Sequence, residues 1–112
     1  MSSASPSAFA ADPAPVFAAL GDRTRLALLN KLSDGQLQSI ARLSADTRLT
    51  RQAVTKHLHV LESAGLVRCS RSGRESLYAF RPEQVREAKS YLDTVSQQWD
   101  EALARLKALV ER

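Results

Sequence analysis

The sequence predicts a mainly α-helical domain that carries one small β-hairpin and ends in a long helix. Three patterns predict this fold class: capped helices with apolar faces, two short extended runs around a Ser-Gly turn, and an apolar heptad over residues 85–109. The 112 residues allow a single hydrophobic core. The 44% hydrophobic and 25% charged content excludes a mainly disordered protein.

Cap residues and apolar spacing predict three helices before residue 50. The first follows Asp12-Pro13 and ends at Gly21. The second follows Asp22 and ends at Asp34-Gly35. Its inner face is predicted to consist of Leu26, Leu29 and Leu32, with Leu28 beside them. A third, shorter helix is predicted over residues 38–45, with Ile40 and Leu43 facing inward.

A fourth helix is predicted from Arg51 to Ala64, between a Thr50 N-cap and Gly65. Apolar residues at i, i+4 and i+7 form one buried stripe: Val54, Leu58 and Leu61. The opposite face is polar and basic: Arg51, Gln52, Thr55, Lys56 and His59. His57 borders the stripe and is interpreted as a packed residue. The following runs, residues 66–71 and 75–80, predict a hairpin around Ser72-Gly73.

The last helix is predicted to begin at Pro82 and to run to about Val110. Its apolar residues are spaced alternately by three and four: Val85, Ala88, Leu92, Val95, Trp99, Ala102, Leu106 and Leu109. Such a helix spans roughly 43 Å, more than so small a domain covers by itself. Two interpretations remain open: the stripe pairs with a second copy of the chain, or it folds back on its own core. Trp99 fits a dimer core or the wall of a small-molecule pocket.

Basic charge is concentrated in the middle of the chain. Of the net charge of +4, residues 42–81 contribute eight basic and three acidic side chains, whereas the segments on either side are nearly neutral. Clustered basic charge is typical of proteins that bind polyanions, although a modest excess also occurs on ordinary solvated faces.

The third and fourth helices, joined by a tight connection, form a helix-turn-helix arrangement, and the hairpin follows it as a wing. The second helix of such a pair fits the DNA major groove, and its first residues reach base edges. Gln52 is suited to adenine, Arg51 and Lys56 to guanine or phosphate, and Thr55 to either. The predicted DNA-binding residues are Arg48, Thr50, Arg51, Gln52, Thr55, Lys56, His59, Arg71 and Arg74.

Three segments carry a resemblance to a known family. Residues 20–25 read LGDRTR, residues 50–58 read TRQAVTKHL, and the hairpin holds Gly73-Arg74-Glu75 with Tyr78. They are similar to the opening segment, the recognition helix and the wing of the ArsR/SmtB-type winged helix-turn-helix transcriptional repressors. The resemblance spans residues 13–110, nearly the whole chain.

The resemblance implies a homodimer, joined through its first and last helices, that binds a palindromic operator in double-stranded DNA and releases it when a signal arrives. The expected interface residues are Val16, Phe17, Leu20, Val85, Ala88, Leu92, Val95, Trp99, Ala102 and Leu106. Three segments are therefore expected: a flexible tail at 1–11, a winged helix-turn-helix domain at 12–81 and a dimerisation helix at 82–112.

The chain departs from the metal-sensing members of that family. Those members carry two cysteines in the third helix, or a set of His, Asp and Glu on the last one. Here residues 36–43 read QLQSIARL, and the last helix has acidic residues but no histidine. The carboxylates are interpreted as an ordinary solvated face. No metal or cofactor is expected, and any inducer would be an unidentified small molecule.

Other functions are less well supported by the residues. No Gly-rich phosphate loop, Ser/His/Asp set or cleft with paired carboxylates is apparent, so catalysis is not expected. Two alternatives remain: a winged-helix module that binds proteins without DNA, and a regulator that responds to oxidation of Cys69. A single cysteine and the absence of a secretory signal or an apolar run of about 20 residues predict a cytoplasmic protein without a membrane span.

Overall fold

The chain folds as a winged helix-turn-helix domain with a long C-terminal helix, as the sequence predicts. The computed structural model describes residues 12–111, so the predicted flexible tail at 1–11 lies outside the described residues. The described elements are α1 (Ala14–Leu20), α2 (Arg23–Leu32), β1 (Gln38–Ser39), α3 (Ile40–Ser44), α4 (Arg51–Ser63), β2 (Val67–Ser72), β3 (Glu75–Phe80) and α5 (Glu83–Val110). The three strands form an antiparallel sheet in the order β1-β3-β2.

Side-chain caps fix where α2 and α4 begin. The Asp22 carboxylate accepts a hydrogen bond from the Arg25 backbone N–H at 3.0 Å, and the Thr50 hydroxyl accepts one from Ala53 at 3.0 Å. Each bond satisfies a backbone donor that has no partner within the helix, so the predicted caps at Asp22 and Thr50 are confirmed. The N-cap of α1 is Pro13, one residue after the predicted Asp12, and it has no side-chain cap hydrogen bond. Asp12 accepts from the Ala14 N–H at 3.0 Å, two residues further along the chain.

Two glycines have the positive φ angles that their turns require. Gly65 follows the C-terminus of α4 with φ +78°, and the Leu66 N–H donates to Leu61 O at 2.9 Å, the six-residue closure of a Schellman motif. Gly73 has φ +62° and occupies the first position of the two-residue hairpin loop. Glycine is favoured there because other residues rarely adopt this conformation.

The prediction of a third helix over residues 38–45 is wrong in its first two residues. Gln38 and Ser39 form β1, which pairs with Tyr78 and Leu77 of β3. The helix begins only at Ile40, and the Ser39 hydroxyl caps it by accepting from the Arg42 N–H at 3.1 Å. Strand β1 forms because it pairs with the edge of β3. The residues of β3 lie almost forty positions away in the sequence, so the two residues of β1 carry no local signal that predicts the pairing.

The hydrophobic core lies between α2, α3, α4 and the sheet. Its fully buried side chains are Leu28, Leu32, Leu43, Val54, Leu58, Leu61, Leu66 and Val67. Leu26 does not belong to it, contrary to the prediction, since this side chain is 45% exposed. It lies about 120° around α2 from Leu32, because each residue of an α-helix advances about 100°.

Arg25 joins three helices. Its Nε donates to Ala19 O at 2.7 Å and its Nη2 to Ala18 O at 3.1 Å, so the guanidinium satisfies carbonyls at the C-terminus of α1. Its Nη1 lies 3.4 Å from Nδ1 of His57 on α4. Asp22 Oδ2 lies 3.8 Å from the same ring nitrogen. His57 is therefore a half-buried contact between helices, as its place beside the apolar stripe predicts.

A second polar contact holds α3 and the turn after it against α2. The Lys31 ammonium donates to Leu43 O at 3.1 Å and forms an ion pair with Asp46. The hydrogen bond from this ammonium holds the pKa of Asp46 below its ordinary value of 3.8. The backbone N–H of Arg25, and then the charge of its guanidinium, likewise lower the pKa of Asp22.

Truncation of the α4 stripe should destabilise the fold, whereas truncation on the exposed side of α2 should not. We expect Leu58→Ala to reduce the free energy of unfolding by about 2–5 kcal/mol, because a fully buried leucine leaves a cavity. Leu26→Ala is the matched control and should change it by less than about 1 kcal/mol. Urea unfolding followed by circular dichroism measures both. Equal losses would contradict the assignment of the core.

The lowered pKa of Asp22 predicts a loss of stability in acid. A carboxyl whose pKa is lower in the folded state stabilises the fold above pH 3.8 and loses that contribution as the pH falls through its folded value. Asp22→Asn keeps a good N-cap residue but removes this titration. We expect its urea midpoint to fall less than that of the wild type between pH 6 and pH 3. Asp93→Asn, an exposed change on α5, controls for net charge, and indistinguishable slopes for Asp22→Asn and the wild type would refute the assignment.

Candidate nucleic-acid interface

Helix α4 has one buried and one exposed face, and the polar residues predicted to bind DNA are on the exposed one. Val54, Leu58 and Leu61 are each 0% exposed. Arg51, Gln52, Lys56 and His59 are exposed, and Thr55 is half-buried. The apolar stripe therefore fixes the rotation of α4 and turns its basic face outward.

A groove of about 600 Å³ runs between this exposed face, the start of α3 and the loop end of the hairpin. It brings together six of the nine predicted DNA-binding residues: Arg51, Gln52, Thr55, Lys56, His59 and Arg74. The five residues of α4 form one wall, while Arg74 comes from the hairpin loop. Helix and hairpin, separated by the whole of β2 in the sequence, therefore share one concave surface.

The other three predicted residues lie outside the groove lining. Arg48 is exposed in the turn that leads into α4, and Arg71 is exposed on β2 opposite Ser76. Thr50 is exposed, but its hydroxyl caps α4. Arg48 and Arg71 are therefore exposed cations outside the groove lining, whereas Thr50 has a structural role that its position as an N-cap already predicts.

The basic groups of the groove have no acidic partner within the described part of the chain. Ion pairs among residues 12–111 join Lys31 to Asp46 and Arg81 to Glu83, and the Asp22 carboxylate lies 3.8 Å from the His57 ring. The guanidinium groups of Arg51 and Arg74 and the ammonium of Lys56 are in none of them. These three cations are thus free to contact an external anion without first breaking an internal bond.

Thr55 is restricted by its own helix. Its hydroxyl donates to Arg51 O at 2.7 Å, so the proton is already used. What remains for a ligand is the acceptor capacity of the oxygen and the methyl group. Thr55 can therefore accept a hydrogen bond from a ligand or make an apolar contact with it, but it does not act as a donor.

The sequence does not identify the residues that complete the groove: Ser39, Ile40, Ala41, Glu75 and Ser76. The first three reach it because β1 pairs with β3 and places the start of α3 beside the hairpin. Glu75 and Ser76 begin β3, directly after Arg74. Their nearness to Arg74 is the one signal in the sequence that could have indicated them.

A second exposed surface follows the apolar stripe of α5. Leu92 is 51% exposed, Trp99 66% and Leu106 56%. Val85 and Ala102 are exposed as well, while Phe17, Leu20 and Val95 are half-buried. The ring of Tyr91, which the sequence does not single out, lies 5.9 Å from that of Phe17 between centroids.

Two residues expected at a dimer interface are instead covered by their own chain. Val16 is 3% and Ala88 4% exposed, and both belong to the core. They lie where the start of α5 crosses α1, so the small alanine is used for close helix packing within one protomer. A partner can therefore be contacted through the remaining residues of the stripe but not through these two.

Other candidate groups form no site. Cys69 is a half-buried free thiol opposite Tyr78 in the β2–β3 pairing. Burial, with a smaller contribution from the nearby thiol, raises the pKa of Tyr78 to about 12. Within residues 12–111, no three His, Cys, Asp or Glu side chains converge as metal ligands would. None of the described helices has the length and apolar content of a membrane span.

Comparison with known proteins agrees with this geometry. Residues 22–68 match the model of the family described as bacterial regulatory protein, arsR family. The HTH-type transcriptional regulator YuzN of Bacillus subtilis, itself uncharacterized, is 39% identical over 77 residues, which are 63% of this chain and 84% of YuzN.

Two solved structures share the fold. An ArsR-like transcriptional regulator from Rhodococcus sp. RHA1 is 35% identical with a TM-score of 0.77, over 92% of this chain and 96% of that one. The homodimeric winged helix-turn-helix DNA-binding domain of Mb0332 from Mycobacterium bovis is 26% identical with a TM-score of 0.62, over 88% and 94% of the two chains. Taken with the polar groove beside α4, these likenesses identify the chain as a transcriptional regulator of the arsR family with a winged helix-turn-helix DNA-binding domain.

Proposed function

We propose that this regulator is a homodimeric repressor that binds a palindromic operator in double-stranded DNA. One observation carries the proposal: six side chains suited to DNA line a single groove, and the cations among them have no internal ion pair. An α-helix has the width of the major groove, and an exposed basic hairpin beside it is suited to the phosphates or the minor groove.

Each residue of the groove then has a role that follows from its donors and acceptors. Gln52, in the first turn of α4, pairs with adenine in a bidentate manner, and Arg51 and Lys56 donate to guanine or phosphate. Thr55 accepts from a base amino group or contacts a thymine methyl, because its proton is bonded to Arg51 O. His59 extends the row by one turn. Arg48, Arg71 and Arg74 hold the sugar–phosphate backbone.

The exposed apolar stripe of α5 supports the homodimer. Helix α5 has 28 residues, and large apolar side chains are exposed along it. Such an apolar surface favours burial against a partner, and a second copy of the chain has an identical stripe. The Mycobacterium bovis relative is homodimeric. Phe17 and Leu20 of α1 border the interface. Two-fold symmetry would set the two α4 helices about 34–36 Å apart, one turn of DNA.

Repression and its release complete the proposal. A dimer bound in two adjacent major grooves blocks access of other proteins to that DNA, which makes repression simpler than activation. Trp99 and its neighbours on α5 form the apolar surface where an unidentified small-molecule inducer would act on the dimer. The proposed domain limits are 12–81 for DNA binding and 82–112 for dimerisation. A regulator of this kind works where the DNA is, in the cytoplasm.

The salt dependence of binding tests the proposal against a module that binds only proteins. If each protomer contacts three or four phosphates, the logarithm of the association constant should fall with the logarithm of salt concentration with a slope of about −5 to −7. Fluorescence anisotropy with duplex DNA measures this slope. No detectable binding at low salt would reject DNA binding and favour the protein-only module.

Substitutions in the two walls of the groove should have different effects. Gln52→Ala should cost about 1–3 kcal/mol at one base pair and relax the sequence preference there, because a bidentate base contact is lost. Arg74→Ala should weaken all sequences alike and flatten the salt slope by about one unit, because a phosphate contact is lost. Titration of a set of single-base variants of the selected site measures both. Identical behaviour of the two variants would mean that these roles are wrong.

A charge within the α5 stripe should separate the protomers. We expect Leu106→Glu to shift the mass in sedimentation equilibrium from about twice 12.3 kDa toward a single chain, since each carboxylate would be buried without a partner in an apolar interface. Ala104→Glu, on the opposite side of the same helix, is the matched control and should remain dimeric. A wild type that is monomeric at all concentrations would contradict the proposed assembly.

A further inference from the structure

Glu75 is a carboxylate within a groove whose other charged members are cations. It is the first residue of β3, directly after Arg74, and it pairs with Ser72 across the hairpin. It is exposed and lines the groove together with Arg51, Lys56 and Arg74. In residues 12–111, no basic side chain forms an ion pair with it. The carboxylate is therefore not explained by a structural contact.

The geometry of DNA indicates what this carboxylate would face, provided that the proposed function holds. The major and minor grooves are separated by one sugar–phosphate strand. A helix placed in one groove and a hairpin placed in the next must straddle that strand, so the concave surface between them holds phosphates. Glu75 lies on the hairpin side of that surface, directly after Arg74, whereas the residues proposed to read bases lie on the α4 wall.

We propose that Glu75 opposes the DNA backbone and limits the affinity of the regulator for all DNA sequences. Like charges at close range repel, and the repulsion acts on every sequence because every sequence carries the same phosphates. The three cations of the groove attract the phosphates of DNA, and the Glu75 carboxylate repels them. The net attraction between groove and DNA is therefore weaker than the basic residues alone would give. A weaker non-specific attraction increases the weight of the base contacts in choosing a site.

Neutralisation of this carboxylate should strengthen binding, a direction that few substitutions in a binding site produce. We expect Glu75→Gln to tighten binding of a selected site and of an unrelated duplex alike, by about three- to tenfold at low salt. The salt slope should become steeper by about one unit for each protomer. Glu75→Lys should extend both changes. Fluorescence anisotropy over a series of salt concentrations measures them.

The matched control is Glu101→Gln. Glu101 is exposed on α5, away from the groove and on the side opposite the apolar stripe, and this variant makes the same change in net charge. It should leave affinity and slope close to those of the wild type. Circular dichroism of all variants verifies that the fold is retained, so a change in binding reports on the groove.

Four outcomes would overturn the inference. If Glu75→Gln loses affinity and relaxes preference at one base pair, the carboxylate reads a base amino group. If Glu101→Gln tightens binding equally, net charge and not position is responsible. If the wild type binds duplex with the expected salt slope and Glu75→Gln changes nothing, the inference about Glu75 fails while the proposed function stands. A wild type that binds no duplex at low salt would reject both.

Discussion

The burial of three side chains on one face of α4 is the constraint on which the rest of the structure depends. Val54, Leu58 and Leu61 have no exposed surface, so the helix cannot rotate about its axis without bringing leucine into water. This fixed rotation is what presents Arg51, Gln52 and Lys56 on one outward face. Under the proposed function, DNA binding and folding use opposite sides of the same thirteen residues, and neither set can shift along the chain without disturbing the other.

The same helix is connected by polar contacts to α1, which borders the proposed dimer interface. The Arg25 guanidinium bonds to the end of α1 and lies against His57 of α4, while α1 itself packs under the start of α5. The polar contacts of Arg25 therefore connect α1 with α4, the helix that lines the groove.

Most of the fold was predictable because it is specified by local signals, and most of the exceptions involve long-range contacts. The caps Asp22 and Thr50, the stripe of α4 and the extent of α5 follow from neighbours in the sequence. By contrast, β1 exists only as a partner of β3, and the buried states of Val16 and Ala88 depend on how α1 crosses α5. The same holds for the groove. Helical periodicity predicts the residues of its α4 wall, whereas Glu75 lies in the groove only because the hairpin and the sheet place it there.

In the proposed function, two copies of α4 read DNA as a symmetric pair. Selection of bound duplexes from a random pool, combined with native mass spectrometry of the selected complex, is the decisive experiment. We expect an inverted repeat whose halves are centred about one helical turn apart, bound by two chains. Enrichment of a single asymmetric site bound by one chain, or no enrichment at all, would contradict it.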